Sequence, residues 1–154
     1  MLFFFVVFLA VVGLLWLLIR RASRHRPLIF SGQTVVITGV DEDNVGWHCA
    51  LQTSKTAEKV ICVSFPALSE AAASRLCKAG AAQVELLALD LTRDEAVQEL
   101  SAKVSRVDLL CLFHTVSSRV DALDASVVKL LRRNLEVNFF SFVSLLQTFV
   151  PKLS

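Results

Sequence analysis

The sequence predicts an α/β protein, a doubly wound parallel sheet held behind an N-terminal transmembrane helix. Three observations predict it. Short apolar runs alternate four times with helical stretches after Ser31, the first such run closes on a glycine turn, and the amino terminus is a long uncharged apolar segment.

That segment, Met1 to Ile19, reads MLFFFVVFLAVVGLLWLLI. At about 1.5 Å rise per residue its helix approaches the roughly 30 Å hydrocarbon thickness of a bilayer. A cleaved secretory signal is the competing reading. No basic residue precedes the run, however, and RRASRHR follows it instead of a small-residue cleavage site. Arginines 20, 21, 24 and 26 lie after the span, which places the body in the cytosol by the positive-inside rule, with Trp16 at the interface. The predicted organisation is an anchor over 1–19, a basic linker over 20–31 and a folded domain over 32–154.

The strands and helices follow in order. TVVIT (Thr34 to Thr38) is short, β-branched and closed by a glycine, as a buried parallel strand should be. Roughly Gly46 to Ala57 places Trp47, Ala50 and Leu51 at helix spacing. KVICVSF (Lys59 to Phe65) is a second strand, ended by Pro66. Leu68 to Gly80 is an alanine-rich helix with Ser69 as cap and a glycine stop. Val84 to Asp90 is a third strand, and Thr92 to Val104 a helix with acids in its first turn, where the helix dipole favours them. Val107 to Thr115 is a fourth strand, and a long helix is expected from Asp124 to Phe149.

Charge and cysteine content exclude several functions. The formal net charge of +2 hides an asymmetry: the four linker arginines leave 12 basic against 14 acidic residues in the body, a net of −2. That body has no basic field for nucleic acid. Cys49, Cys62, Cys77 and Cys111 lack any paired ligand spacing and read as buried thiols; His25, His48 and His114 do not cluster, so no metal site is expected.

The glycine turn VDEDNVGW between strand and helix sits where phosphates bind in a doubly wound fold. Gly39 and Gly46 are placed to let the backbone turn and approach a phosphate closely. Asn44, or Asp43 if the spacing is counted differently, fills the middle position with a side chain, and Asp41, Glu42 and Asp43 oppose a phosphate unless one of them caps the helix. A turn that binds no ligand is the alternative.

These fragments together resemble the short-chain dehydrogenase/reductase family, in particular its membrane-anchored retinol and hydroxysteroid dehydrogenases. The likeness begins at GQTVVITG (Gly32 to Gly39), where the family continues Thr-Gly-x-x-x-Gly-x-Gly; Thr38, Gly39, Asn44 and Gly46 then stand at cofactor-binding positions, with one residue inserted and the middle glycine replaced. It resumes at LDLT (Leu89 to Thr92), whose Asp90 matches an aspartate near the adenine ring. Over RVDLLCLFHT the strand is kept, but Leu112, Phe113, His114 and Thr115 replace Asn-Asn-Ala-Gly. LEVNFFSFVSLLQTFVPKL matches the family's long helix, with Asn138 at the position of its helix-kinking, proton-relay asparagine. The likeness covers Gly32 to Leu153, about the amino-terminal half of a usual family domain.

The resemblance implies an incomplete Rossmann-like doubly wound sheet in an endoplasmic reticulum membrane protein with NAD or NADP as cofactor. It also implies sheet order 3-2-1-4, with the fourth strand left at an edge. The family's chemistry uses a serine and a Tyr-x-x-x-Lys helix. These 154 residues contain no tyrosine, so no dehydrogenase activity is expected, and Asn138 is expected to be structural, satisfying a carbonyl of the long helix. The second strand ends in Ser64, Phe65 and Pro66 without the charge that selects NAD or NADP, so binding is expected to be weak, with Phe65 packed on the sheet in preference to stacking on an adenine. Partners are membrane lipid and a second subunit, identical or not, through the Asp124 to Phe149 helix, whose uncharged run Val137 to Val150 is too short for a span. Three classes remain open: a catalytically silent relative, a short form of an NAD(P)-dependent retinol or hydroxysteroid oxidoreductase, and a scaffold that binds no nucleotide.

Overall fold

The computed structural model describes residues 30–80, 82–116 and 125–153. The anchor and linker readings fall on 1–29 and lie outside them. Among the described residues no helix is long and apolar enough to cross a membrane.

Four parallel strands form one sheet in the order β3-β2-β1-β4. They are β1 (Thr34–Thr38), β2 (Lys59–Ser64), β3 (Gln83–Ala88) and β4 (Leu109–Leu112). In the central pair Val36 lies beside Ile61 and Leu110. The helices are α1 (Val45–Thr53), α2 (Glu70–Lys78), α3 (Asp94–Ala102), α4 (Ala125–Leu135) and α5 (Ser141–Phe149). Alternate residues of a strand point to opposite faces, so the two faces collect different partners. Val36, Ile61 and Val63 pack with Val97 and Leu100 of α3 and with Leu145 and Phe149 of α5. Val35, Ile37, Val60 and Cys62 pack with Trp47 of α1 and Leu76 of α2. The sheet is therefore covered on both faces, as continuous apolar strands require.

Several boundaries differ from the expected ones, each for a local reason. Helix α1 stops at Thr53, whose hydroxyl turns back to the carbonyls of Cys49 and Ala50. Strand β4 ends at Leu112 because His114 is drawn to side chains of β1 and α5. Helix α3 begins at Asp94, not at Thr92: the Thr92 hydroxyl and amide both donate to Asp90, and Arg93 stands at the cap without a side-chain bond. Cys62 alone of the four cysteines is buried, and Cys77 is exposed.

The long helix is continuous from Ala125 to Phe149 but not uniform. Residues Glu136–Phe140 form a π turn, closed by the Ser141 amide donating to the Glu136 carbonyl. Beyond α5, the short 3₁₀ turn Val150–Lys152 staples the helix to the rest. The Lys152 ammonium donates to Ser101 O and Oγ at 2.7 Å and to Val104 O at 2.8 Å, where the carbonyls of α3 end. The outward stripe of this helix is apolar: Val128, Leu131, Leu135, Phe139, Val143, Leu146 and Val150 are each 36 to 57% exposed.

Phe149 is fully buried where α5 meets the sheet. Phe149→Ala is expected to lower unfolding free energy by about 3–5 kcal/mol in denaturant titration. A loss under about 1 kcal/mol would show that α5 is not docked as described.

Candidate functional site

The site is built where the carboxyl ends of β1 and β4 converge. Gly39 follows β1 with φ +73°, and a Cβ on it would collide with the backbone of Phe113 and His114. Glycine is thus required twice over, by its left-handed conformation and by the closeness of the β4 end. Gly46 opens α1 against the same turn, where a Cβ would stand 2.6 Å from the Gly39 carbonyl oxygen. Both sequence-predicted glycines are demanded by contacts within the protein.

Asn44 closes the turn. Its Oδ1 accepts from the Trp47 amide at 2.7 Å and from the Asp41 amide at 3.3 Å, and its Nδ2 donates to the Gly39 carbonyl at 2.8 Å. The helix cap is therefore Asn44, not one of the three acids. The reason is geometric, because residue 44 stands one place before the first helical residue while Asp43 occupies the left-handed kink at φ 62°. A phosphate at the start of α1 would meet this side chain in the place the family leaves to glycine. As folded, the turn does not fit a pyrophosphate.

Thr38 takes part in a different arrangement. Its hydroxyl lies 2.6 Å from His114 Nδ1; His114 Nε2 lies 2.8 Å from Ser141 Oγ; and Ser141 Oγ donates to the Val137 carbonyl at 2.5 Å. Because Ser141 spends its proton on Val137, it must accept from His114, which fixes the proton on Nε2 and leaves Nδ1 to accept from Thr38. One directed chain of hydrogen bonds thus links β1, the β4 end and the π turn. Burial lowers the His114 pKa to about 4, which matches the neutral ring this chain needs. The ring also packs on Phe142, with centroids 4.2 Å apart.

Asn138 lies in the π turn and reaches across to the loop after β4, not to a carbonyl of its own helix. Its Oδ1 accepts from the Val116 amide at 2.8 Å and from Thr115 Oγ1 at 3.0 Å, while Nδ2 donates to the Val116 carbonyl at 2.7 Å. A single amide side chain satisfies both backbone groups of Val116 and fixes the loop at the mouth of the site.

Asp90 follows β3 and is separate from the glycine turn. It borders a cleft of about 870 Å³ that also touches Phe65, His114, Lys129, Arg133 and Ser141. Phe65 does not pack on the sheet as expected. It is 66% exposed, because β2 ends at Ser64 and Phe65 already leaves the strand. Sequence reasoning placed His114 only as a substitution in a motif, and Ser141 only as a polar break in an apolar helix. Their pairing was not readable, since it needs the 27-residue separation to be closed in space. Among the described residues, no group of three or more histidine, cysteine or acidic side chains is placed to hold a metal. Across the other face, the Cys111 thiol lowers that of Cys49 to about 7 through a hydrogen bond.

No protein-family model matches the sequence. Solved structures do match the fold. A short-chain dehydrogenase from Mycobacterium smegmatis aligns with a TM-score of 0.68 at 18% identity over 83% of this chain and 56% of its own. For a Serratia marcescens short-chain dehydrogenase/reductase the score is 0.69 at 17% identity, over 84% and 53%. L-sorbose reductase from Gluconobacter frateurii, solved with NADPH and L-sorbose, scores 0.69 at 21% identity over 83% and 50%. The chain has the fold of short-chain dehydrogenases and spans about half the length of these structures.

The half-buried, neutral His114 makes stability depend on pH. Its folded value of about 4 lies below the ordinary 6.5, so between these values the unfolded chain binds more protons, and stability should fall as pH drops from about 6.5 to 4. His114→Gln should flatten that part of the pH profile in denaturant titrations. An unchanged slope would mean that the folded chain does not hold this histidine neutral.

Proposed function

We propose that this chain is a membrane-anchored relative of the short-chain dehydrogenases/reductases that carries no hydride-transfer activity of its own. The observation that carries the reading is Asn44. Its side chain occupies the start of α1 and is held by three hydrogen bonds to the turn around it. Dinucleotide binding through Thr38, Gly39, Gly46 and Asp90 is weak in this reading, because a pyrophosphate must first displace that side chain. Absence of any tyrosine from the 154 residues removes the family's phenolic acid/base from these residues as well. NAD and NADP remain the relevant ligands in kind, since L-sorbose reductase, with the same fold, was solved with NADPH.

The proposed setting is the endoplasmic reticulum membrane, with residues 1–19 in lipid and the α/β body facing the cytosol. The proposed partner is a second subunit, either another copy or a longer relative, seated on the exposed apolar stripe from Val128 to Val150. A second reading is favoured by Asn138, which still fixes the loop beside the site. In it, these residues are the amino-terminal half of an NAD(P)-dependent oxidoreductase acting on a retinoid or steroid.

Asn44→Gly tests the first reading, because glycine at a cap costs only a few tenths of a kcal/mol and removes the obstruction. In detergent, NADH should bind the variant at least about fivefold more tightly than the parent chain, an increase of about 1 kcal/mol, with no turnover of retinol or a hydroxysteroid by either. Equal NADH affinities would refute the obstruction, and turnover by the parent chain would refute the silence. For the stripe, Leu135→Asp with Phe139→Asp should turn a dimer in light scattering into a monomer. A parent chain already monomeric in dispersed form would end the subunit proposal.

A further inference from the structure

Cys49, Cys62 and Cys111 share the sheet face that α1 and α2 cover. Strand register puts two of them in one row, because Ile37 of β1 lies beside Cys62 of β2 on one side and Cys111 of β4 on the other. Residues paired across neighbouring strands point to the same face, so Cys62 and Cys111 stand two strand spacings apart, roughly 10 Å. Cys49 comes to this row from α1. Trp47 and Ala50 press that helix onto the sheet and are fully buried, while Cys49 lies on the flank of the contact, half-buried like Cys111. There the thiols of Cys49 and Cys111 are hydrogen-bonded to each other.

The surroundings of the sulfurs divide their roles. Cys62 is 1% exposed, and burial pushes its thiol up to about 12, which keeps it protonated and closed to reagents. The hydrogen bond from Cys111 favours a thiolate on Cys49, lowering it to about 7, and holds the proton on Cys111, whose own thiol is raised. A thiolate is the attacking species in exchange with a disulfide, and a thiol that titrates near ambient pH attacks best. Cys77 is exposed on α2 and supplies an internal comparison.

We propose that Cys49 and Cys111 form a thiol–disulfide exchange site, which accepts a low-molecular-mass disulfide of the glutathione class and closes into a reversible cross-link between α1 and β4. The Cys49 thiolate attacks one sulfur of the small disulfide, whose S–S bond breaks, and the departing thiolate takes up the proton that Cys49 released. Cys111 then gives up its proton and attacks the Cys49 sulfur. That step forms the Cys49–Cys111 bond and expels the second small thiol, which leaves with the Cys111 proton. Two protein thiols are thereby oxidised by two electrons, and one small disulfide is reduced to two thiols. The two protein sulfurs are already hydrogen-bonded, so the second step is a short approach to the bond length of about 2.05 Å. The site stands apart from the glycine turn, and the inference holds whether or not that turn binds a nucleotide.

The test treats the reduced full chain in detergent with oxidised glutathione, followed by acid quenching, alkylation and peptide mass mapping. The expected main product is the cross-linked Cys49–Cys111 peptide pair with Cys62 still a thiol, and excess reduced glutathione should return both thiols. Cys111→Ser keeps a hydroxyl donor beside Cys49 and should stop at the mixed disulfide of Cys49. Cys111→Ala removes the donor and should form the same mixed disulfide about fivefold more slowly or worse. Cys77→Ser should leave the cross-link unchanged. Glutathione that stays on Cys49 of the parent chain without passing to Cys111 overturns the inference, as does reaction confined to Cys77. Equal rates for the two Cys111 variants would overturn the role given to Cys111 as proton holder. The parent chain alone decides the cross-link, so the result stands even where a variant fails to fold.

Discussion

The approach of the β1 end to the β4 end is the contact on which the rest of the molecule depends. It is possible only because Gly39 has no side chain, since any Cβ there would enter the backbone of residues 113 and 114. Once the two ends meet, Thr38 and His114 fall within hydrogen-bond distance, and His114 in turn reaches Ser141 on the long helix. The chain of donors has one consistent direction, and it requires a neutral imidazole. Burial supplies that condition by disfavouring the charged ring. A substitution at residue 39 would therefore disturb more than a turn, because the histidine, the π turn and the β4 loop all take their positions from it.

The π turn has a second consequence, for the outer face of the helix. The exposed apolar residues recur at steps of three and four: 128, 131, 135, 139, 143, 146, 150. Three consecutive steps of four, from 131 to 143, would drift about a third of the way around an α-helix, which completes a turn every 3.6 residues. The wider turn at Glu136–Phe140 spreads more residues over the same rotation and takes up that drift. The stripe thus stays on one side across the full helix. The same local irregularity positions Asn138 toward Val116, so one feature serves the site within and the apolar face without.

Much of the fold was legible in the sequence. Four apolar runs separated by helical stretches fix strand number and the parallel class, whereas the order β3-β2-β1-β4 was implied only by the family resemblance. Asn44 and Asn138 were visible as residues but not as contacts. The first was recognised as an intruder in a glycine position, yet its role as helix cap depended on which residue took the left-handed kink, and Asp43 did. The second was assigned to its own helix because local satisfaction is the simpler expectation, whereas the loop it holds is 22 residues away. Phe65 misled for a similar reason: an aromatic at the end of an apolar run reads as core, but β2 stops one residue earlier. Pattern reports periodicity well and termination poorly, because termination is decided by partners distant in sequence.

The glycines teach the most about inferring function from a motif. A glycine-rich turn between strand and helix is commonly taken to mean phosphate, on the argument that the ligand needs the space a side chain would fill. Here Gly39 and Gly46 are both required before any ligand is considered, one by the β4 backbone and the other by the carbonyl of Gly39 itself. Their presence is therefore compatible with a turn that binds no ligand. Packing requires glycine at the first and last positions. The middle position holds an asparagine whose three hydrogen bonds make the turn self-sufficient. The middle residue is accordingly the informative one for phosphate binding, while the outer two report on the fold.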